Sequence, residues 1–363
     1  MLRVFTAFSG YDSQCLALNR LGLDYDLVGW SEIDKFAIKA HDALFPQYSD
    51  RNYGDISQID WNKAPDFDLF TYSSPCQDFS NAGKMRGGDK GSGTRSSLLW
   101  ECQKAIYIKR PRYLLMENVS NLVSKRFINT FNQWLKVLED MGYTNYWQVL
   151  NAKDYSVPQN RKRVFVVSVL YNIHPFVFPE KIELTKRLKD VLEDSVDERY
   201  YLREKRLSGF NYGLSLNKTT VNKCDGQRIA EPIVLGWTRD ANGNVVDRHP
   251  VEIANCITSA KRDNTQNYVV VPANTKSVQS YRIRKLTERE CFRLMGVHDK
   301  DSDKIRSVVS KSQCYKLAGN GIVVDVLEAI FRELLTKYEI PKFKQLKLFR
   351  CGCKGGEAQH KSS

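Results

Sequence analysis

A thiol on a turn beyond a strand is the residue best suited to chemistry in this sequence. The strand-like run DLFTYSS, residues 68–74, leads into Pro75-Cys76-Gln77-Asp78-Phe79-Ser80. A cysteine at such a turn can be exposed and electropositively flanked, as a thiolate nucleophile requires. Alone it reads as a small hydrophobe in a loop. What overturns that reading is its company: MENV at residues 116–119, on a later strand end, and PQNRKRVF at residues 158–165. Upstream, Phe8-Ser9-Gly10 sets small residues and exposed backbone at the carboxyl end of the first strand, where ligands of open α/β sheets bind. Glu32, in WSEID, could accept hydrogen bonds from ribose hydroxyls, and Asp55 from an adenine amino group, with Ile56 as an apolar wall. Each acid alone reads as a solvated loop residue; taken in order along a sheet they describe a nucleoside pocket.

Positioning these groups requires a sheet. Up to Leu170, the apolar runs LRVFTAF, DLVGW, DLFTYSS, RYLLMEN, YWQVLNA and RVFVVSVL alternate with segments of helical period. That order predicts an α/β fold with a Rossmann-like, doubly wound sheet. Cys15, Leu16, Leu18 and Leu21 form one apolar helix face, Leu98, Leu99, Cys102 and Ile106 a second, and Phe131, Leu135 and Leu138 a third. After Leu170 the pattern turns to a charged stretch at residues 180–206, then to short strand-like pieces broken by Gly, Asn and Pro. From Lys285 helices return, in LTERECFRLMG and GIVVDVLEAIFRELL. The expected division is a catalytic and cofactor-binding domain at 1–170, a smaller β-rich domain at 171–284, a helical return at 285–340 and a basic, flexible tail at 341–363.

With 42% hydrophobic residues, a chain of 363 residues can bury a real core, which argues against disorder throughout. Lys and Arg outnumber Asp and Glu by 55 to 42, a formal charge of +13. That excess implies attraction to a polyanion, nucleic acid first, with simple solubility as the alternative. The opening MLRVFTAFSG turns polar too soon for a signal peptide and no later run is long enough for a bilayer, so the chain reads as cytoplasmic with no membrane partner. Its nine cysteines, mostly alone in apolar patterns, read as thiols of a reducing compartment. Cys351-Gly352-Cys353 with His360 lacks the spacing of a zinc site, so no metal is expected.

The motifs PCQDFS, MENV, QNRKRVF, RKLTEREC and AGNGIVVDVL occur in the order found in bacterial and phage DNA (cytosine-5) methyltransferases, and the chain resembles that family over nearly its whole length. The resemblance implies S-adenosylmethionine as cofactor and double-stranded DNA as substrate. It implies that Cys76 adds to carbon 6 of a flipped-out cytosine while Glu117 holds N3 and the exocyclic amine. A carboxyl in that role must be able to exist protonated, so burial should raise its pKa. Arg163 would hold the base oxygen, Arg161 would add positive charge around the thiolate, and Pro75 and Asn118 would fix the geometry. For the cofactor the resemblance implies Phe8 against the adenine, Gly10 at the amino-acid moiety, Glu32 and Ile33 at the ribose, Asp55 and Ile56 at the adenine, and Leu98 and Asn320 lining the same pocket. The family's first motif continues with more glycines, where this chain has Tyr11-Asp12-Ser13-Gln14.

NAGKMRGGDKGSG, residues 81–93, cannot make a regular element; it reads as a solvated loop or as a cationic lid over the extruded base. Gln77, Ser80 and Gln159 are expected among the substrate-binding residues, with Lys84 and Arg86 further candidates in the loop. Residues 171–284 match the family's target-recognition region in position, and CITSAKRDNTQNYVVV near its end resembles that region's recurring piece, with Thr258 at the DNA backbone. Arg239, Arg248, Lys261 and Arg262 are candidates for phosphate contact or ordinary surface charges. The chain is expected to act as a monomer, with a cognate restriction endonuclease as a separate partner. Two other readings are an RNA methyltransferase of the same fold and a catalytically dead DNA-binding module. The RNA branch carries a Cys-Phe-Thr signature, which Cys291-Phe292-Arg293 in the RKLTEREC helix does not fit. A dead module would have lost Cys76, Glu117 or an arginine of QNRKR, and all are present.

Overall fold

Side chains alternate across a strand, so a strand apolar at every position must be covered on both faces. β1 (Leu2–Ala7) comes close, with Leu2 and Val4 on one face, Phe5 and Ala7 on the other and only Arg3 and Thr6 polar, and the computed structural model places it inside a sheet with helices on both sides. The structure describes residues 1–75, 95–171, 175–202, 233–239, 245–258, 267–273 and 280–336. Over these, β1, β2 (Tyr25–Ser31), β3 (Leu69–Tyr72), β4 (Tyr113–Val119), β5 (Tyr143–Asn151) and β7 (Lys162–Leu170) form one sheet in the order β2-β1-β3-β4-β7-β5. β2, β1, β3 and β4 are mutually parallel; β7 runs antiparallel to β4 and to the edge strand β5. All six expected strands are present, and the antiparallel edge completes an otherwise parallel α/β sheet.

Alternation divides the core. Val4, Leu27, Leu69, Leu115 and Val167 face one cluster, with Cys15 and Leu18 of α1 (Ser13–Arg20) and Ala37 and Ala40 of α2 (Lys35–Leu44). Phe5, Phe70, Leu114 and Val166 face the other, with Ile106 of α3 (Glu101–Lys109) and Phe131, Trp134 and Leu138 of α4 (Ile128–Asp140). The C-terminal helices α5 (Glu288–Arg293), α6 (Asp299–Val308), α7 (Lys311–Asn320) and α8 (Val324–Phe331) return to the first cluster, where α8 packs on α1. Phe176, Leu188 and Val191, from the segment after β7, belong to that cluster too. Each large apolar side chain buried in this way contributes about 1.5–3 kcal/mol.

A second, antiparallel sheet has the order β12-β11-β8-β9, from β8 (Ile233–Arg239), β9 (Val245–Pro250), β11 (Tyr268–Ala273) and β12 (Ser280–Lys285). Its join to α5 is a buried ion pair: Arg284 near the end of β12 binds both carboxylate oxygens of Glu290 at 2.8 Å, while Glu290 and Thr287 cap α5 reciprocally. A short parallel ladder, β6 (Gln159–Asn160) with β10 (Ala254–Asn255), makes the second join. Among the described residues no helix is long and apolar enough to cross a membrane.

Candidate active site

The carboxyl ends of β1, β3 and β4 and the start of β7 meet at one rim of the large sheet, and the expected residues gather there. Glu117, near the end of β4, is only 8% exposed, and its Oε1 lies 3.1 Å from Nε of Arg163 on β7. Burial pushes the Glu117 carboxyl up from its ordinary range, partly opposed by the positive charges of Arg163 and Arg161 and by a hydrogen bond from Ser73. Beside it, the Asn118 amide donates to the carbonyl (3.2 Å) and hydroxyl (3.3 Å) of Ser74, and its oxygen accepts from the Val119 N–H. This ties the end of β4 to the residues that lead into Pro75, which is half-buried. Cys76, Gln77 and Ser80 lie outside the described residues, as do Lys84, Arg86, Lys261, Arg262, Cys351, Cys353 and His360. Among the described residues no group of His, Cys, Asp or Glu is placed to hold a metal ion.

Arg161 and Gln159 also make buried hydrogen bonds to backbone groups distant in the chain. Arg161 is 3% exposed, and its guanidinium donates to the carbonyls of Ile257 (2.8 Å), Gly319 (2.9 Å) and Gly321 (2.7 Å). Its charge reaches Glu117, but its hydrogens bind backbone. Gln159 is wholly buried; its oxygen accepts from the Ile257 N–H at 2.9 Å and its nitrogen donates to the Leu294 carbonyl at 2.6 Å. Both brace the rim from behind, and the Gln159 amide is committed within the protein. Thr258 follows Ile257 and is half-buried. Arg239 and Arg248 lie on β8 and β9.

Sequence reasoning reads Cys256 only as one of the thiols alone in apolar patterns. Burial works to raise its thiol, but the charges of Arg161 and Arg163 outweigh burial and the net shift is downward. An Arg161 Nη1 lies 3.5 Å from its sulfur. Cys256-Ile257-Thr258 is a Cys-x-Thr run beside the arginines, with Ile where the RNA branch's signature has Phe, whereas Cys291-Phe292-Arg293 has the Phe but not the Thr. Cys291 itself is buried in α5.

The other half of the rim is built around backbone. Phe8 (φ 55°) and Gly10 (φ 60°) take left-handed conformations directly after β1. Glu32, just past β2, accepts from the N–H groups of Gly10 (3.0 Å), Ile33 (2.8 Å) and Asp34 (2.8 Å), so one carboxylate fastens two strand ends together. Ile33 is 70% exposed beside it. Asp55 caps the turn Ile56–Gln58 by accepting from the N–H and hydroxyl of Ser57 and is itself exposed. Ile56, expected as a wall, is buried at 3% in the core against which Phe8 packs, which leaves Ile33 as the exposed aliphatic group. Leu98 is half-buried on the turn Arg95–Trp100. Asn320 is exposed at the end of α7, between the two carbonyls held by Arg161. In place of further glycines, Tyr11 is buried edge-on to Phe292, and any side chain at Gly321 would strike its phenol. Asp12 caps α1 and accepts from Thr6 at 2.9 Å. Open space over Gly10, a half-buried ring at Phe8, an exposed isoleucine and two acids, Glu32 past a strand end and Asp55 capping a turn, fit an adenosine-type ligand in size and donor chemistry.

The comparisons agree with this arrangement. The profile of the family described as C-5 cytosine-specific DNA methylase matches residues 2–336. The type II methyltransferase M2.ScrFI of Lactococcus lactis subsp. cremoris is 37% identical over 92% of this chain and 99% of its own length. The orphan methyltransferase M.SPRI of Bacillus phage SPR is 30% identical over 93% of this chain and 98% of its own. Among solved structures, the S. pombe Dnmt2 methyltransferase superposes with a TM-score of 0.66 at 20% identity, covering 93% of this chain and 99% of that one, a likeness of fold.

Proposed function

The chain belongs to the C-5 cytosine-specific DNA methylase family and is an enzyme of it, and from that membership we propose that it methylates carbon 5 of a cytosine swung out of double-stranded DNA, with S-adenosylmethionine as donor and Cys76 as nucleophile. The observation that carries the reading is the buried Glu117–Arg163 pair, on the same rim as Ser74 and Pro75, which lead directly into Cys76. S-adenosylmethionine, when bound, supplies an electrophilic methyl group. Phe8, Gly10, Glu32, Ile33, Asp55, Leu98 and Asn320 would hold it, with Ile56 behind them.

Carbon 5 of cytosine is a poor nucleophile. Addition of the Cys76 thiolate to carbon 6 makes carbon 5 enamine-like, and Glu117 favours that addition by holding a proton at N3, which a raised pKa allows. Arg163 holds the base oxygen and orients Glu117. Asn118, through Ser74, steadies the approach to Cys76. After methylation the carbon-5 proton leaves to a base, and the electron pair it releases expels the thiolate. Extrusion is needed because a stacked base is out of reach. The second sheet and the segment leading to it, residues 171–284, would read the DNA sequence.

A restriction-modification setting agrees with the type II relatives. A second reading, methylation of RNA, has behind it only the run Cys256-Ile257-Thr258 beside Arg161, which differs from the Cys-Phe-Thr signature at its middle residue. Bisulfite sequencing of DNA and RNA from a methylation-free host expressing the chain separates the two. The expected result is methylcytosine at one short DNA sequence; conversion of every DNA cytosine would overturn the proposal.

A further inference from the structure

The two sheets must act together, because bases read by one have to license chemistry at the other. Among the described residues, one chain of hydrogen bonds between them runs through a residue that no motif marks. A side-chain amide carries the same donor and acceptor as a peptide group, so an asparagine can pair with a single residue's N–H and C=O as a neighbouring strand would. Asn255 does this to β8: its oxygen accepts from the Trp237 N–H at 3.0 Å and its nitrogen donates to the Trp237 carbonyl at 3.3 Å. Asn267, only 5% exposed, does the same to Asn255 itself, accepting from its N–H and donating to its carbonyl, each at 3.0 Å. β8 lies between β11 and β9, inside the second sheet.

On its other side Asn255 sits in the β6–β10 ladder opposite Asn160. Two residues further on, Ile257 is gripped at both backbone groups, its N–H by Gln159 and its carbonyl by Arg161. Arg163 follows two residues after Arg161, on β7, 3.1 Å from Glu117. The Asn255 amide therefore joins β8 of the second sheet to β10, whose partner β6 leads through Arg161 into β7, the strand that presents Arg163.

We propose that Asn255, clasped by Asn267, is a positioning residue that couples DNA recognition in the second sheet to the placement of Arg163 and Glu117. The inference rests on the function proposed above. Removing the amide loosens β8 against β10 while leaving the cofactor rim, the Glu117–Arg163 pair and the DNA-facing loops chemically intact. Recognition would then be transmitted less completely, and the enzyme would distinguish its own sequence from near relatives less well.

The test uses full-length wild type, Asn255→Ala and Asn267→Ala, with methylation rates on the sequence found by bisulfite mapping and on duplexes changed at one base pair. Unchanged S-adenosylmethionine affinity is expected in both variants. The ratio of kcat/KM between correct and altered duplexes should fall on the order of tenfold, as loss of about 1.4 kcal/mol of coupling would give, mainly through kcat on the correct duplex. A merely structural role predicts rates on all duplexes falling together, with the ratio preserved. That result, or no change, would overturn the inference. If Asn255→Ala does not fold, Asn255→Asp carries the same test, since it keeps the acceptor for the Trp237 N–H and loses the donor to its carbonyl. Wild type that methylates no DNA would instead contradict the function proposed above.

Discussion

Glu117 is the residue on which the chemistry turns. Its carboxyl lies between opposing effects: burial raises its pKa, while Arg163, Arg161 and Ser73 lower it, and the net shift is upward. A carboxyl raised in the folded state contributes stability that is fully present below its unfolded pKa and is lost as pH rises through its folded pKa. Glu117→Gln, which cannot ionise, should therefore gain stability relative to wild type as pH rises through that interval; denaturant unfolding at several pH values checks this. The same substitution removes the proton donor, so kcat should fall by roughly 10²–10⁴-fold. Wild type should lose activity on the alkaline side as Glu117 deprotonates, and that loss should vanish in Glu117→Gln. A variant that kept the wild-type pH profile would place the essential proton elsewhere.

At the scale of elements, the cofactor rim is a product of strand ends. Glu32 holds the Gly10 N–H from the neighbouring strand, so its loss both removes a ribose partner and frees the turn after β1. Glu32→Ala and Asp55→Ala should each weaken S-adenosylmethionine binding by about 1–3 kcal/mol, measured by calorimetry. Ile33 separates binding from stability, because a side chain 70% exposed supports little of the fold. Ile33→Ala should lower cofactor affinity by roughly 1 kcal/mol with an unchanged Tm; intact affinity in all three variants would put the cofactor elsewhere. Much of this was legible beforehand. The six strands announced themselves as apolar runs, and Gly10 and Glu32 fall just past strand ends, where ligands of such sheets bind. α6 was covered only by the expected helical return at 285–340 and not singled out, because DKDSDKIRSV buries little besides Ser302 and Ile305. Nor could sequence choose Ile33 over Ile56 as the exposed group, or foresee that Gln159 and Arg161 bind backbone distant in the chain, since those facts arise only when separate segments meet.

For the molecule as a whole, a charge of +13 suits a partner bearing phosphates, and recognition and catalysis should be separable by segment. Grafting residues 171–284 into a relative of known specificity should transfer the methylated sequence without altering the chemistry. The segment's Phe176, Leu188 and Val191 pack in the main core, so the graft must keep those three contacts. A chimera that kept the recipient's specificity would locate recognition elsewhere. Replacing a phosphate-contacting Arg or Lys in the segment should reduce the salt slope of DNA binding by about one. The central claim is a covalent bond between Cys76 and the target base, and fluorine at carbon 5 tests it directly because it cannot leave as a proton does. DNA made with 5-fluorocytosine throughout contains the target whatever its sequence. With S-adenosylmethionine present, the enzyme should form a complex that survives denaturation, with the adduct on Cys76 by peptide mass and none formed by Cys76→Ser. An active enzyme that left such DNA free, or was trapped through another residue, would contradict the account.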